Sequence, residues 1–246
     1  MKKKVNFGFK KVSEDTKNLL INNVFTSVAD NYDLMNDLMS LGIHRVWKNK
    51  MIKLCNLQDS QKVIDIATGS GDIAARLLKS ADNIHLTCLD TNLDMLSLCK
   101  NKLLDLGFNK NIDFIQSSIE KIKLDKNIFD LSTIAFGFRN FTNHAIALQN
   151  IFDSLKPGGK IVIMEFSQPR DKNRNKFYDY HIHNIIPKIG EVIAKDYDSY
   201  KYLAESIETY MTPDEVTKIL IDSGFIKVKY LYLFGDIVTI HVGYKN

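Results

Sequence analysis

The sequence predicts an α/β fold built on a mostly parallel sheet, and three observations lead there. From position 62 onward, short apolar runs alternate with helix-length amphipathic stretches. The first of those runs ends in a glycine-bearing turn, Asp65-Ile66-Ala67-Thr68-Gly69-Ser70-Gly71-Asp72. Near the C-terminus, FIKVKYLYLF and DIVTIHVGYK follow each other with Gly235 between their dense parts, which reads as an antiparallel hairpin. Strands that are apolar throughout are buried on both faces, as in parallel sheets covered by helices.

The elements follow in order. Residues 13–55 read as helices, with apolar positions at Val24, Phe25, Val28, Leu38, Met39, Leu41, Ile43, Val46 and Trp47. KVIDIA (62–67) is the first buried strand and 71–80 its helix; NIHLTCLD (83–90) is the second strand, with a helix over 92–106. IDFIQ (112–116) and FDLSTIAF (129–136) are the third and fourth strands, and a helix runs from Thr142 to Lys156. KPGG (156–159) stops that helix before the fifth strand, KIVIMEF (160–166). Thr212-Pro213-Asp214-Glu215 opens another helix with Thr as N-cap, Pro at N1 and a capping box, and Gly224 ends it.

Length and composition bound the rest. A chain of 246 residues, 45% hydrophobic and 25% charged, suits one large α/β domain or one domain with an N-terminal appendage. A net charge of +4 is too mild to imply nucleic acid. Lys2, Lys3, Lys4, Lys10 and Lys11 form a basic arm, read as a solvated tail or as a contact for anionic lipid. No apolar run approaches the ~20 residues that span a bilayer, and MKKKVNFGFK lacks the apolar core of a secretory signal. Cys55, Cys88 and Cys99 show neither a C-x-x-C pair nor ligand-like spacing to histidine, so they read as buried thiols, with no metal site expected. A cytoplasmic protein is the expectation. Lysine dominates the basic residues, so Arg45, Arg76, Arg139, Arg170 and Arg174 stand out as places where a planar fork could matter.

The turn after the first strand is the first candidate site. Gly69 and Gly71 let the backbone turn sharply near a ligand, and the following helix offers free N–H groups to a carboxylate or phosphate. Written as Gly69-x-Gly71-x-x-Ala74, it matches a dinucleotide pattern too. Asp90 closes the second strand, where its carboxylate can accept both hydroxyls of a ribose. Leu93 and Met95 are placed either on an adenine face or in the helix core. NAD and S-adenosylmethionine (SAM) would both supply such a ribose. The antiparallel ending and the Ser117-Ser118 pair after the third strand favour SAM, and with it a Rossmann-like, seven-stranded class I SAM-dependent methyltransferase fold. An NAD-binding protein or an inactive scaffold partner is the rival reading, although intact Gly69, Gly71 and Asp90 argue against the scaffold.

Residues 24–47, VFTSVADNYDLMNDLMSLGIHRVW, resemble the first signature of the UbiE-type quinone-ring C-methyltransferases at Tyr32-Asp33, Met35-Asn36, Ser40, His44 and Trp47. KPGGKIVIMEFS (156–167) resembles the second, with Lys156, Gly158, Gly159, Glu165 and Ser167 in place. AFGFRNFTNHAIAL (135–148) and 181–207 are also similar, so the resemblance covers nearly the whole chain. The chain departs from the pattern at Thr68, Ser118, Ala135 and Asp153-Ser154. The resemblance implies residues 1–60 as an N-terminal helical segment over the cofactor site and 61–246 as the methyltransferase domain. It also implies that Ser70, Asp90, Ser118, Ile119 and Ala135 line the SAM site, to which the reading of the turn and of the stretch after Asp90 adds Asp65, Thr68, Gly69, Gly71 and Met95.

By the same resemblance the acceptor is a polyprenyl quinol, either demethylmenaquinol or 2-methoxy-6-polyprenyl-benzoquinol, with the first preferred; a sterol or phospholipid amine is a further alternative. Such an acceptor implies peripheral membrane contact and leaves monomer and homodimer open. The quinol hydroxyl beside the reacting carbon must lose its proton so that the carbon can attack. Arg139 is the candidate to stabilise the phenolate, against a surface ion pair. Tyr32 with Asp33 could cover the cofactor or simply pack, and His181 or His183 could take the proton or be structural. His44 could cap or pack near Trp47. Phe177, Tyr178, Tyr180, Tyr197, Tyr200 and Tyr202 could line a prenyl entrance or be core.

Overall fold

The computed structural model describes residues 4–29, 32–40, 42–167, 180–194, 196–233 and 235–246, with main chain alone at 32, 33, 181, 182 and 192–194. Five parallel strands form the centre of its sheet: β3 (Lys62–Ile66), β4 (His85–Asp90), β5 (Ile112–Gln116), β6 (Phe129–Ala135) and β7 (Leu155–Phe166). β8 (Ile226–Leu233) and β9 (Val238–Tyr244) add an antiparallel edge, giving the order β5-β4-β3-β6-β7-β9-β8. The order reverses at β3, between β4 and β6. In open α/β sheets, ligands collect beyond the carboxyl ends of strands at such a reversal.

Helices cover both faces: α4 (Asp72–Leu78), α5 (Leu93–Asp105), α6 (His144–Ser154) and α9 (Pro213–Asp222). Neighbouring strand residues point to opposite faces. Val63 and Leu86 therefore enter one core with Trp47, Met51, Leu77 and Leu103, while Ile64 and Ile66 enter the other with Phe138, Leu148, Leu220 and Phe225. Each such side chain contributes roughly 1.5–3 kcal/mol when fully buried. The capping box at α9 forms as expected: Glu215 N donates to Thr212 Oγ1 at 3.3 Å, and Thr212 N donates to the Glu215 carboxylate at 2.7 Å. Cys55, Cys88 and Cys99 are free and buried.

Residues before β3 build a cover. α1 (Glu14–Val28), α2 (Tyr32–Ser40) and α3 (His44–Cys55) occupy the stretch 13–55 that reads as helical. Val28, Met35 and Met95 share a third, smaller core with Ile186, Tyr200 and Ala204. The last three belong to α7 (Ile186–Ala194), which a π-helical turn at His181–Ile185 precedes, and α8 (Tyr197–Glu208). No helix among the described residues is long and apolar enough to cross a membrane.

Two sequence expectations are corrected. Lys4, Lys10 and Lys11 do not belong to a loose tail: β1 (Lys4–Phe7) and β2 (Lys10–Ser13) pair as an antiparallel hairpin. Phe7 stacks on Tyr202 with ring centroids 4.1 Å apart, and Phe9 N donates to Glu205 at 3.2 Å. Lys2 and Lys3 lie outside the described residues. Secondly, the helix expected to reach Lys156 ends at Ser154, and KPGG lies inside β7. Residues 156–159 bulge out between the pairings Phe129–Leu155 and Leu131–Lys160. They are held by Gly158 N to Lys245 O (3.0 Å) and Lys245 N to Gly159 O (2.8 Å). A methyl on Gly159 would sit 2.8 Å from the Lys156 carbonyl oxygen, so glycine is required there.

Candidate active site

The centre of the site is the turn from β3 into α4. Ala67 has φ 54, a left-handed value that costs a non-glycine residue energy, and Gly69 and Gly71 follow with φ 55 and 83. A Cβ on Gly71 would stand 2.6 Å from Cys99 Sγ, so the turn is pressed against α5. Asp65 holds it from below: Thr68 Oγ1 and Thr133 Oγ1 each donate to its carboxylate at 2.7 Å. Full burial raises the Asp65 pKa to about 6, and Asp90 and Asp72 add to the rise while the two threonines oppose it. Asp65 and Thr68 therefore shape the loop with their side chains, and Ser70, buried, accepts from Lys102 Nζ at 3.2 Å.

Asp90 is the hub. Its carboxylate accepts from Gly69 N at 2.9 Å and Asn92 N at 3.0 Å, which join the β3 turn to the end of β4. Burial raises its pKa, against the amides of Asn92, Gly69 and Thr91. A carboxylate offers about four acceptor positions, so capacity remains for a hydroxyl donor. No side chain caps the first turn of α4.

Asn92 carries the connection outward. Its Oδ1 caps α5 through Met95 N at 2.9 Å. Its Nδ2 donates to Asn22 Oδ1 at 3.0 Å and Thr26 Oγ1 at 2.8 Å on α1. The other end of α1 is bonded to the loop after β6: Lys17 Nζ donates to Phe141 O at 2.9 Å, and Thr142 Oγ1 donates to Asn18 Oδ1 at 2.9 Å. Because β3 lies between β4 and β6, α1 passes across the carboxyl end of β3.

The other wall begins at the end of β6. Phe136 has φ 58, an outlier for a bulky residue, and backbone strain of this kind gathers at functional sites. Gly137 follows, where a Cβ would meet that of Ala67 at 2.5 Å. The 3-10 turn Phe138–Asn140 then presents Arg139. Its Nη1 pairs with Glu165 Oε1 at 3.0 Å, its backbone N donates to Glu165 Oε2 at 3.0 Å, and its Nε donates to Ser206 Oγ at 3.2 Å. Nη1 also donates to the Phe136 carbonyl, and the guanidinium lies 5.6 Å from the Phe166 ring centroid. With side chains 6% and 1% exposed, this is a buried ion pair and not the surface pair weighed as the alternative to a role at the phenolate. Beside it, Tyr202 Oη donates to Asn140 Oδ1 at 3.0 Å.

The remaining expected residues are spread through the fold. Ser118 accepts from Glu120 N at 3.2 Å and Ala135 is half-buried at the end of β6, so both edge the cleft. Ile119 points into the core with Ile64 and Ile66, which leaves its main chain for any cofactor contact. Met95 is buried in the third core, and Leu93 is 59% exposed. The side chains of Tyr32, Asp33 and His181 lie outside the described set, as do Leu41, Arg170, Arg174, Phe177 and Tyr178. His183 Nε2 lies 2.9 Å from a Glu208 carboxylate oxygen, and His44 Nε2 lies 2.8 Å from one of Asp37. Tyr200 and Tyr202 are core, whereas Tyr180 and Tyr197 are exposed.

Sequence reasoning missed Asn92, Lys17, Glu120 and the partners of Arg139. Asn92 was detectable as an N-cap two residues after Asp90. Lys17 carried no signal, being one lysine of many.

The comparisons agree with this geometry. The model of the ubiE/COQ5 methyltransferase family matches residues 10–245. A Rickettsia prowazekii protein named "Ubiquinone/menaquinone biosynthesis C-methyltransferase UbiE" is 45% identical over 245 residues, 98% of each chain. One of the same name from Wigglesworthia glossinidia brevipalpis is 43% identical over 244 residues, 99% of this chain and 98% of that one. The chain belongs to the ubiE/COQ5 methyltransferase family. Among solved structures, an S-adenosyl-L-methionine-dependent methyltransferase described as putative, from Methanococcus maripaludis, matches with TM-score 0.62 at 20% identity, over 89% of this chain and 92% of that one. A SAM-dependent methyltransferase from Aquifex aeolicus matches with TM-score 0.57 at 20% identity, over 80% and 88%. The fold is the class I SAM-dependent methyltransferase fold, the chain is a SAM-dependent methyltransferase and SAM is its cofactor. The strained β3 turn, the uncapped α4 and the acceptor capacity of Asp90 fit that cofactor.

If Asp90 receives the ribose hydroxyls, Asp90→Ala should weaken SAM by at least about tenfold, since each bond to a charged acceptor is worth ~1.5–3 kcal/mol. Calorimetric titration of SAM, with melting temperature measured alongside, checks this; unchanged affinity in a folded variant removes Asp90 from the site.

Proposed function

We propose that this methyltransferase places the SAM methyl on a ring carbon of a polyprenyl quinol in respiratory quinone biosynthesis, with demethylmenaquinol as the preferred acceptor. The supporting observation is near-full-length identity of 43–45% to relatives named for ubiquinone and menaquinone biosynthesis. Those names cover both quinones, so 2-methoxy-6-polyprenyl-benzoquinol is the second reading. The test is mass spectrometry of quinones from a cell lacking its own C-methyltransferase and supplied with this chain. Methylated menaquinone is expected; accumulation of only unmethylated precursors of both quinones overturns the proposal.

When bound, SAM supplies an electrophilic methyl that needs no activation. The protein's task is to orient the acceptor, worth up to ~7–11 kcal/mol, and to stabilise the phenolate formed when the hydroxyl loses its proton. In this reading Arg139 serves the phenolate. Glu165 cancels its net charge, so Arg139 acts through aimed N–H groups, and the neutral Ser206 hydroxyl is the partner a phenolate oxygen would exchange with. His181 and Tyr32 remain candidates for proton acceptor and cover. Arg139→Ala would strand Glu165 as a buried unpaired charge, at about 3–5 kcal/mol, so Arg139→Lys is the cleaner variant. It keeps the charge and loses the fork. Single-turnover methylation should fall ~10²-fold with SAM affinity retained, and normal turnover in the folded variant sinks this role.

A prenyl tail partitions into membrane at ~0.8 kcal/mol per buried CH₂, so the proposed acceptor requires contact with a bilayer surface. Phe9 at the tip of the β1–β2 hairpin is exposed and followed by exposed Lys10 and Lys11, and Leu34 and Leu38 are exposed one turn apart on α2. Vesicles containing anionic lipid should bind the protein, and added salt should weaken that binding. Indifference to such vesicles at low salt counts against the membrane reading.

A further inference from the structure

Lys17 is a buried cation on α1. It is 6% exposed, and its ammonium makes one hydrogen bond among the described residues, to the Phe141 carbonyl. No carboxylate among the described residues is bonded to it. Glu120 faces it at longer range, but that carboxylate already receives Thr142 N at 2.6 Å as well as Asn143 N and Ser118 Oγ. Arg139, on the adjoining turn, adds positive charge to its surroundings, whereas the buried His144 imidazole on α6, its pKa held down to about 4 by burial, adds none. A buried charge without an ionic partner costs stability, and such costs concentrate where a chain is built for activity.

Its position says what the charge accomplishes. α1 is bonded at one end to Asn92, beyond Asp90, and at the other, through Lys17 and Asn18, to the loop that begins with Arg139. Nine residues of helix from Lys17 to Thr26 span ~13 Å, enough to cross the ~10 Å between β4 and β6, two strand spacings apart. The turn that holds the cofactor lies under that span. At the Asn92 end, Thr26 also donates to the Asp94 carboxylate at 2.9 Å and Ser27 to that of Asp196, whereas at the other end Lys17 is the one charged donor between α1 and the Arg139 loop among the described residues.

We infer that Lys17 is a positioning residue for methyl transfer: its ammonium ties the cover helix α1 to the loop carrying Arg139 and so closes the cleft over the cofactor. The inference rests on SAM lying beneath α1. Opening the cleft then requires breaking the bond from Lys17 to the Phe141 carbonyl, so the bond sets how fast SAM leaves as well as where Arg139 stands. Burial holds the Lys17 pKa down at about 8, with Glu120 opposing and Arg139 reinforcing the effect. The latch therefore weakens as pH rises through about 8, when the ammonium becomes an amine and a weaker donor. Stability runs the other way. The folded state holds the proton less tightly than the unfolded chain, so burying the charge costs stability below that pH and the cost fades above it.

The experiment is stopped-flow release of SAM from the full-length protein, wild type, Lys17→Met and Lys17→Arg, from pH 7 to 9, with melting temperatures. Lys17→Met should release SAM about tenfold faster, the scale of one lost charge-assisted hydrogen bond, with a melting temperature equal to or above wild type. Release from the wild type should accelerate through about pH 8, while Lys17→Arg, charged throughout, should stay slow and flat. A Lys17→Met protein that melts lower and releases SAM at the wild-type rate assigns the residue to the fold and overturns the inference. A wild-type release rate independent of pH overturns it as well, even if the Met variant does not fold. Asp90→Ala serves as control: loss of SAM there with no effect at Lys17 rejects the latch alone, and no effect at Asp90 rejects the cleft beneath α1.

Discussion

The Asp90 carboxylate joins the turn after β3 to the start of α5 and, through Asn92, to α1. One oxygen takes the amide of Gly69, the other that of Asn92, and the amide side chain of Asn92 reaches α1. The β3 turn, the start of α5 and the cover helix thus share one anchor. Because that anchor is charged and largely desolvated, its bonds are stronger than neutral ones and costly to leave unmade. Losing the carboxylate would free the turn from below the ligand and the cover from above it.

Asp65 and Glu165 repeat the logic at the ends of β3 and β7. Asp65, with its raised pKa, is satisfied by two threonine hydroxyls, one on its own turn and one on β6. Glu165 fixes both the backbone and the guanidinium of Arg139. Three buried carboxylates at the carboxyl edge of one sheet each hold a loop that hydrophobic packing alone would leave with several arrangements. Left-handed backbone at Ala67 and Phe136, on either side of the cleft, shows that these loops are held in strained forms.

The cover ties N-terminal and C-terminal segments together around this edge. The hairpin meets α8 through Phe7 and Tyr202, and Tyr202 in turn holds Asn140 next to Arg139. Ser27 donates to Asp196 at 2.5 Å at the start of α8. The β4 end of the sheet and the Arg139 turn are therefore joined twice, once through α1 and once through α8.

The sequence alone determined the sheet, because apolar runs, helix periods and turn residues are local signals. β5 lies where it was expected, and the capping box at Thr212 and the reversed final hairpin are present as read. The glycine turn and Asp90 were legible for the same reason, since the spacing of one strand–turn–helix unit is written in consecutive residues. Only the tertiary structure decided the partners of charged groups. Arg139 and Glu165 are distant in sequence, and their burial as a pair depends on β6 and β7 lying side by side. Lys17 gave no signal before α1 was laid across β3, and Lys4 and Lys10 looked like a tail until Phe7 found Tyr202. Ile119 and Met95, placed by position along the cleft, turned inward because each stands on the face of its element that a core covers. Pattern fixes which residues want burial, whereas the identity of a buried polar partner depends on contacts between segments that no local pattern encodes.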